Sequence, residues 1–283
     1  MQIQIKMYTD IPYGPHERNV LDVYIAEQEP SPGPSPVLVF FHGGGYIRGG
    51  KADVHRYAFV HQCLSAGISV VSCNYRFIQS DPYPAPMEDG TRALQFVRHM
   101  APEWGLDPDR IASAGASAGG HLALWNALRG DLARPDSDDP IERQSSAVCG
   151  FLGFITQVSK DQRFYEGRYH GPHIQPNLQL FYGLSDPEER HRPEILALAE
   201  QASAIHYMSA SAPPAFMVYT LPLDGPTIPA DAPVGEVIHH PVHGYVLQQA
   251  YTRFGIPYTL RHGADPERPG ELLAFLQRCF TRD

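Results

Sequence analysis

A chain of 283 residues with 43% hydrophobic and 19% charged side chains has enough apolar material for a sizeable core, which excludes disorder as the default state. Its formal charge of −9, without a run of like charges, gives no electrostatic hold on nucleic acid or on an anionic membrane surface. The strongest early apolar run, Val37–Phe41, is far shorter than the roughly 20 residues of a spanning helix, so no membrane partner is expected. Met1–Ile11 mixes Gln, Lys and Asp with apolar residues and has no signal-peptide core, which points to a cytoplasmic location. Cys63, Cys73, Cys149 and Cys279 are scattered in apolar contexts, suggesting buried thiols rather than a disulfide framework or a zinc site.

In chain order, Val20–Ile25 alternates as a half-buried strand does, and the Pro-rich stretch Glu29–Pro36 reads as a surface loop. Val37–Phe41 is a continuous β-favouring run, the pattern of a strand covered on both faces of a parallel sheet. A helical segment through Phe59, Val60, Cys63 and Leu64 stops at Gly67 before a strand at Ser69–Cys73. A second helix starts near Pro86, with Gly90, Ala93, Leu94 and Val97 on one face, and leads to a strand at Ile111–Ala114. The rhythm continues with strands at Ala147–Leu152 and Ala215–Leu221, a helix at Val242–Phe254, a strand at Tyr258–Arg261 and a helix at Glu271–Phe280. Alternation of this kind predicts one α/β domain over residues 1–283, with a doubly wound, mostly parallel sheet. Between Phe154 and Ala212 it breaks into an aromatic, Pro-containing stretch with one helix, Glu188–Ala199, which reads as a small cap.

Gly115-Ala116-Ser117-Ala118-Gly119 lies between a strand and an apolar helix, the context of a nucleophile elbow. The turn is so sharp that only small residues fit two before and two after the serine. The hydroxyl is then exposed at a helix amino end that favours developing negative charge. A Gly-rich strand-to-helix turn can also bind phosphate, so this motif alone does not decide the chemistry. His42-Gly43-Gly44-Gly45 follows the buried strand Val37–Phe41, where backbone amides of Gly44 and Gly45, with that of Ala118, can form an oxyanion hole. Its spacing is not that of a dinucleotide loop.

With both motifs in place, the chain resembles the hormone-sensitive-lipase and feruloyl-esterase-like (BD-FAE-like) carboxylesterase branch of the α/β-hydrolases. Tyr13-Gly14 and Leu21-Asp22-Val23-Tyr24 resemble the family's opening, His42 to Tyr46 its oxyanion loop, and Asn74-Tyr75-Arg76 its third-strand turn. Glu88-Asp89, Ala93 and Asp109-Arg110-Ile111 match the approach to the elbow, Ala118 to Ala123 the helix after the nucleophile, and Ala212-Pro213-Pro214 the lead into the acid-bearing strand. The resemblance implies an α/β-hydrolase fold with a small cap, no cofactor, and cleavage of small carboxylic esters with short acyl chains, acetylated carbohydrates or aryl esters among them. Amide, formamide or peptide cleavage fits the same constellation, and so does a non-catalytic binding protein. A homodimer is admitted.

The fold's order of serine, acid, histidine places the acid after Ala215–Leu221, with Asp224 first and Asp231 second. The family's histidine follows the last strand, where this chain has His262-Gly263-Ala264-Asp265; His262 precedes the Gly-Ala pair instead of following it. His239, His240 and His243, on the long loop after Asp224, are the alternatives. The expected triad is therefore Ser117, Asp224 and His262. His42 would orient the oxyanion loop and His121 would bond internally. Without Cys or a carboxylate at ligand spacing, His239, His240 and His243 suggest no metal site. Tyr46, Tyr75, Phe164, Tyr165 and Phe181 are the expected substrate-pocket residues.

Overall fold

The computed structural model describes residues 2–29, 33–170 and 178–281. Eight strands run as β1 (Gln2–Pro12), β2 (Val20–Glu29), β3 (Ser35–Phe41), β4 (Ser69–Cys73), β5 (Leu106–Ala116), β6 (Phe151–Phe154), β7 (Ala215–Val218) and β8 (Tyr258–Arg261). They form one sheet in the order β1-β2-β4-β3-β5-β6-β7-β8. The β1–β2 and β2–β4 pairs are antiparallel and the rest parallel. The helices are α1 (Ala58–Ser65), α2 (Ala85–Trp104), α3 (Ala118–Arg129), α4 (Gln162–Glu166), α5 (Leu178–Phe181), α6 (Pro193–Ala202), α7 (Val234–Ile238), α8 (Val242–Phe254) and α9 (Glu271–Cys279). This is the α/β-hydrolase architecture expected above.

The unbroken apolar runs are explained by two-sided burial. Val37, Val39 and Phe41 of β3 point to one face, where they share a core with Leu94 and Val97 of α2, Leu122 of α3, and Leu247 and Tyr251 of α8. Leu38 and Phe40 point the other way, onto Phe59 and Val60 of α1 and Leu272, Phe275 and Leu276 of α9. A side-chain period of two on a strand covered by helices above and below needs apolar residues at every position. None of the described helices is long and apolar enough to cross a membrane.

Three departures from the sequence reading have local causes. The amino terminus forms β1, an antiparallel edge strand whose Gln-Ile-Gln-Ile alternation is a strand pattern. The helix expected at Glu188–Ala199 splits into a 3₁₀ turn at Pro187–His191 and α6, because Arg192, extended at ψ 141°, precedes Pro193. Third, the connection after β7 contains α7, whose Val237 packs with Tyr165, Tyr169, Ile228 and Val242 in a small satellite core. Of the expected surface loop, residues 30–32 lie outside the described residues, as do residues 171–177 of the expected cap.

Candidate active site

β5 ends at Ala116 and α3 begins at Ala118, which leaves Ser117 alone in the bend at φ 49° and ψ −115°. A non-glycine residue held there stores about 1–3 kcal/mol of strain, so its surroundings must over-determine it. Ser117 donates its amide to the Phe154 carbonyl at 2.9 Å, and His121 donates to the Ser117 carbonyl at 2.9 Å. A Cβ on Gly119 would lie 2.2 Å from the Phe41 and His42 carbonyl oxygens, and one on Gly115 would lie 2.4 Å from the Gly119 backbone. The spacing of the two glycines is therefore a steric requirement.

The glycine loop meets this bend directly, because β3 and β5 are paired neighbours with Phe41 opposite Gly115. A Cβ on Gly43 would stand 3.2 Å from the Ala116 carbonyl and 3.8 Å from the Ser117 Cβ. Gly44 has φ +115°, and its carbonyl accepts from Ile47 and Arg48, which closes the loop. Behind the loop, the buried His42 ring stacks on Tyr75 at 4.3 Å between centroids, and the Tyr75 hydroxyl donates to the His42 carbonyl at 2.6 Å. Burial lowers His42 to about 4, so the ring is neutral. Its Nδ1 is 2.7 Å from the Gly43 carbonyl.

Ser117 Oγ lies 2.8 Å from Nε2 of His239. His262, the histidine expected here, is placed elsewhere. The loop after β8 closes as a tight bridge between His262 and Asp265, and Gly263 is pressed against residues 220–222, where a Cβ would sit 2.5 Å from the Thr220 carbonyl. His262 Nδ1 accepts from the Leu223 amide at 3.3 Å. The longer connection from β7 to α8 brings a histidine over instead. It is tied down by the Ile228 amide on the Arg168 carbonyl at 2.8 Å and by Val237 in the satellite core, and α7 ends at His239.

Burial lowers the His239 pKa below 6.5; a hydrogen bond with the Gly235 backbone opposes the shift and the Lys160 charge reinforces it. Among the described residues no carboxylate is hydrogen-bonded or ion-paired to His239. Asp224 is exposed, and its charge acts on His240, not on His239. Asp231 is also exposed. Of the other two loop histidines, His240 Nδ1 accepts from the Val242 amide at 3.2 Å, and the fully buried His243 stacks on Phe164 at 4.9 Å. No metal-binding group of three or more His, Cys, Asp or Glu occurs among the described residues.

Ser117, His239, Gly44 and Gly45 line one cavity of about 380 Å³ with Tyr46, Phe181, Ile155, Gln157 and Lys160. Tyr46, at φ +64°, places its hydroxyl 2.7 Å from His121 Nδ1, and His121 Nε2 donates to the Ala202 carbonyl at 2.9 Å. His121 thus bonds internally. Three expected pocket residues change place: Tyr75 is fully buried behind the glycine loop, and Tyr165 belongs to the satellite core, with Phe164 packed against it. Gln157 and Lys160 were not singled out from the sequence, where they fall in the stretch read as a small cap.

The BD-FAE family model matches residues 21–221. Carboxylesterase NlhH of Mycobacterium tuberculosis is 42% identical over 106 residues, 38% of this chain and 32% of that one. Esterase LipQ of the same organism is 31% identical over 219 residues, 75% and 48% of the respective lengths. The chain spans about a third to a half of these curated relatives. A truncated carbohydrate esterase from gut microbiota superposes with TM-score 0.75 at 19% identity, covering 98% of this chain and 97% of that one. A bacterial heroin esterase does so with TM-score 0.66 at 20% identity over 99% and 85%. At these identities the two superpositions establish the fold.

Proposed function

We propose that this chain, which belongs to the BD-FAE family of α/β-hydrolases, cleaves small carboxylic esters through an acyl-enzyme on Ser117, with His239 as the base. The observation that carries the reading is the 2.8 Å approach of Ser117 Oγ to His239 Nε2 inside the cavity that the glycine loop also lines. As Oγ attacks the ester carbonyl carbon, its proton passes to Nε2, and the amides of Gly44, Gly45 and Ala118 receive the oxyanion. The alkoxide leaves with the proton from Nε2. Water then enters by the same route, gives its proton to His239, and releases the acid and Ser117.

In this reading the Gly235 backbone, not Asp224, orients the imidazole. A peptide dipole stabilises an imidazolium less than a carboxylate does, which favours esters, with their better leaving groups, over amides. A cavity of about 380 Å³ suits short acyl groups. The test is a 4-nitrophenyl acetate assay with fluorophosphonate labelling. The wild type should show a burst and one labelled serine, and Ser117→Ala should lose both; turnover that persists in Ser117→Ala would refute the mechanism.

A further inference from the structure

Lys160 is 6% exposed and lines the cavity that holds Ser117 and His239. Its backbone is fixed on both sides: the amide donates to Ser203 Oγ at 2.9 Å, and the carbonyl accepts from the Tyr182 hydroxyl at 2.8 Å. The side chain runs between two rings, with Nζ 5.3 Å from the Tyr46 centroid and 5.4 Å from that of Phe181. Nζ donates to Gln157 Oε1 at 2.5 Å. An amide oxygen and two ring faces solvate an ammonium but do not neutralise it.

No carboxylate pairs with Lys160 among the described residues. The adjacent Asp161 turns away to Arg163, 2.5 Å from its Nη2. The imidazoles whose titration Lys160 influences, those of His121, His239 and His243, are all held toward the neutral form, chiefly by burial. In a chain with 31 acidic and 22 basic side chains, the described cavity lining contains Lys160 and Arg48 but neither Asp nor Glu. Burying an ammonium without a counter-charge is costly, so an anion that arrives from outside would stabilise the charged form of Lys160. Resting on the ester-cleavage reading, we propose that the substrate carries a carboxylate, and that Lys160 binds this anion while Ser117 attacks the ester bond of the same molecule. Burial lowers Lys160 to about 7; a bound carboxylate would raise it again.

Two matched ester pairs locate the carboxylate, with hydrolysis followed by titration at neutral pH. Ethyl hydrogen succinate against ethyl butyrate probes the acyl side, and 4-acetoxybenzoate against phenyl acetate probes the alcohol side. Expected is a kcat/KM preference of about ten- to hundredfold for the anionic member of one pair, which collapses in Lys160→Met. Lys160→Gln provides the same comparison if the methionine variant does not fold. Independently of turnover, calorimetry should show succinate or benzoate binding to Ser117→Ala, and loss of that binding when Lys160→Met is added. A preference that survives loss of the ammonium, or no anionic preference in either pair, overturns the proposal and leaves ester cleavage standing. Lys160-dependent binding without turnover of any of the four esters supports the anion site and overturns the ester reading. Neither binding nor turnover overturns both.

Discussion

The Ser117 bend and the Gly43–Gly45 loop sit at the ends of two paired strands, with Phe41 opposite Gly115, so the sheet itself sets their distance. His239 arrives on the connection 219–241, held by a satellite core and a few backbone hydrogen bonds. The first half of the site is fixed by sterics that tolerate no added methyl at Gly44, Gly115 or Gly119. The second depends on which of two loops reaches the serine, and here the loop after β7 does so while the loop after β8 is pinned against residues 220–223. Rigid neighbouring strands preserve a motif, whereas a base needs only to come within hydrogen-bond reach from any direction.

Disturbing the rigid half should have the largest effect. Gly119→Ala drives a Cβ into the Phe41 and His42 carbonyls and must part the elbow from the glycine loop. A displacement of that size is expected to lower kcat by about 10²-fold or more, together with the melting temperature. Activity near the wild-type level would show that the two bends are not sterically locked.

On the loop side, the proposed base His239 could accept the Ser117 proton only when neutral, and burial holds its pKa below 6.5. As pH falls, the acid limb of kcat/KM should therefore lie below 6.5, with a drop of about tenfold per pH unit beneath the lowered pKa. An acid limb at or above 6.5 would indicate a carboxylate-supported base. The smallest expected effect is that of Asp224→Asn, whose exposed side chain acts on His240: kcat/KM should remain within about threefold of the wild type. A loss on the scale of a triad acid would put Asp224 back behind the base.

These contrasts also mark what the sequence made legible. The strands at Ser69–Cys73 and Tyr258–Arg261 and the helix at Val242–Phe254 are found where the sequence pattern puts them, most plainly Ser69–Cys73, whose burial on both faces leaves an unbroken run that short windows capture. The elbow and glycine loop were readable because their glycines answer to local sterics. The serine's partner was not readable, because it depends on how a Pro-rich connection packs on Tyr165 and Tyr169, which no local spacing encodes. His262 follows β8 but stands before the Gly-Ala pair rather than after it, and the closure around Gly263 holds it against the Leu223 amide. Lys160 had no signal at all: its burial comes from Tyr46 and Phe181, residues distant in the chain.

The most direct measurement is kcat/KM for a short 4-nitrophenyl ester with His239→Asn and His262→Asn compared side by side. His239→Asn should lower it by about 10³-fold or more, while His262→Asn stays within about threefold of the wild type. The opposite outcome, an active His239→Asn and a silent His262→Asn, would contradict the placement of the base on the loop after β7.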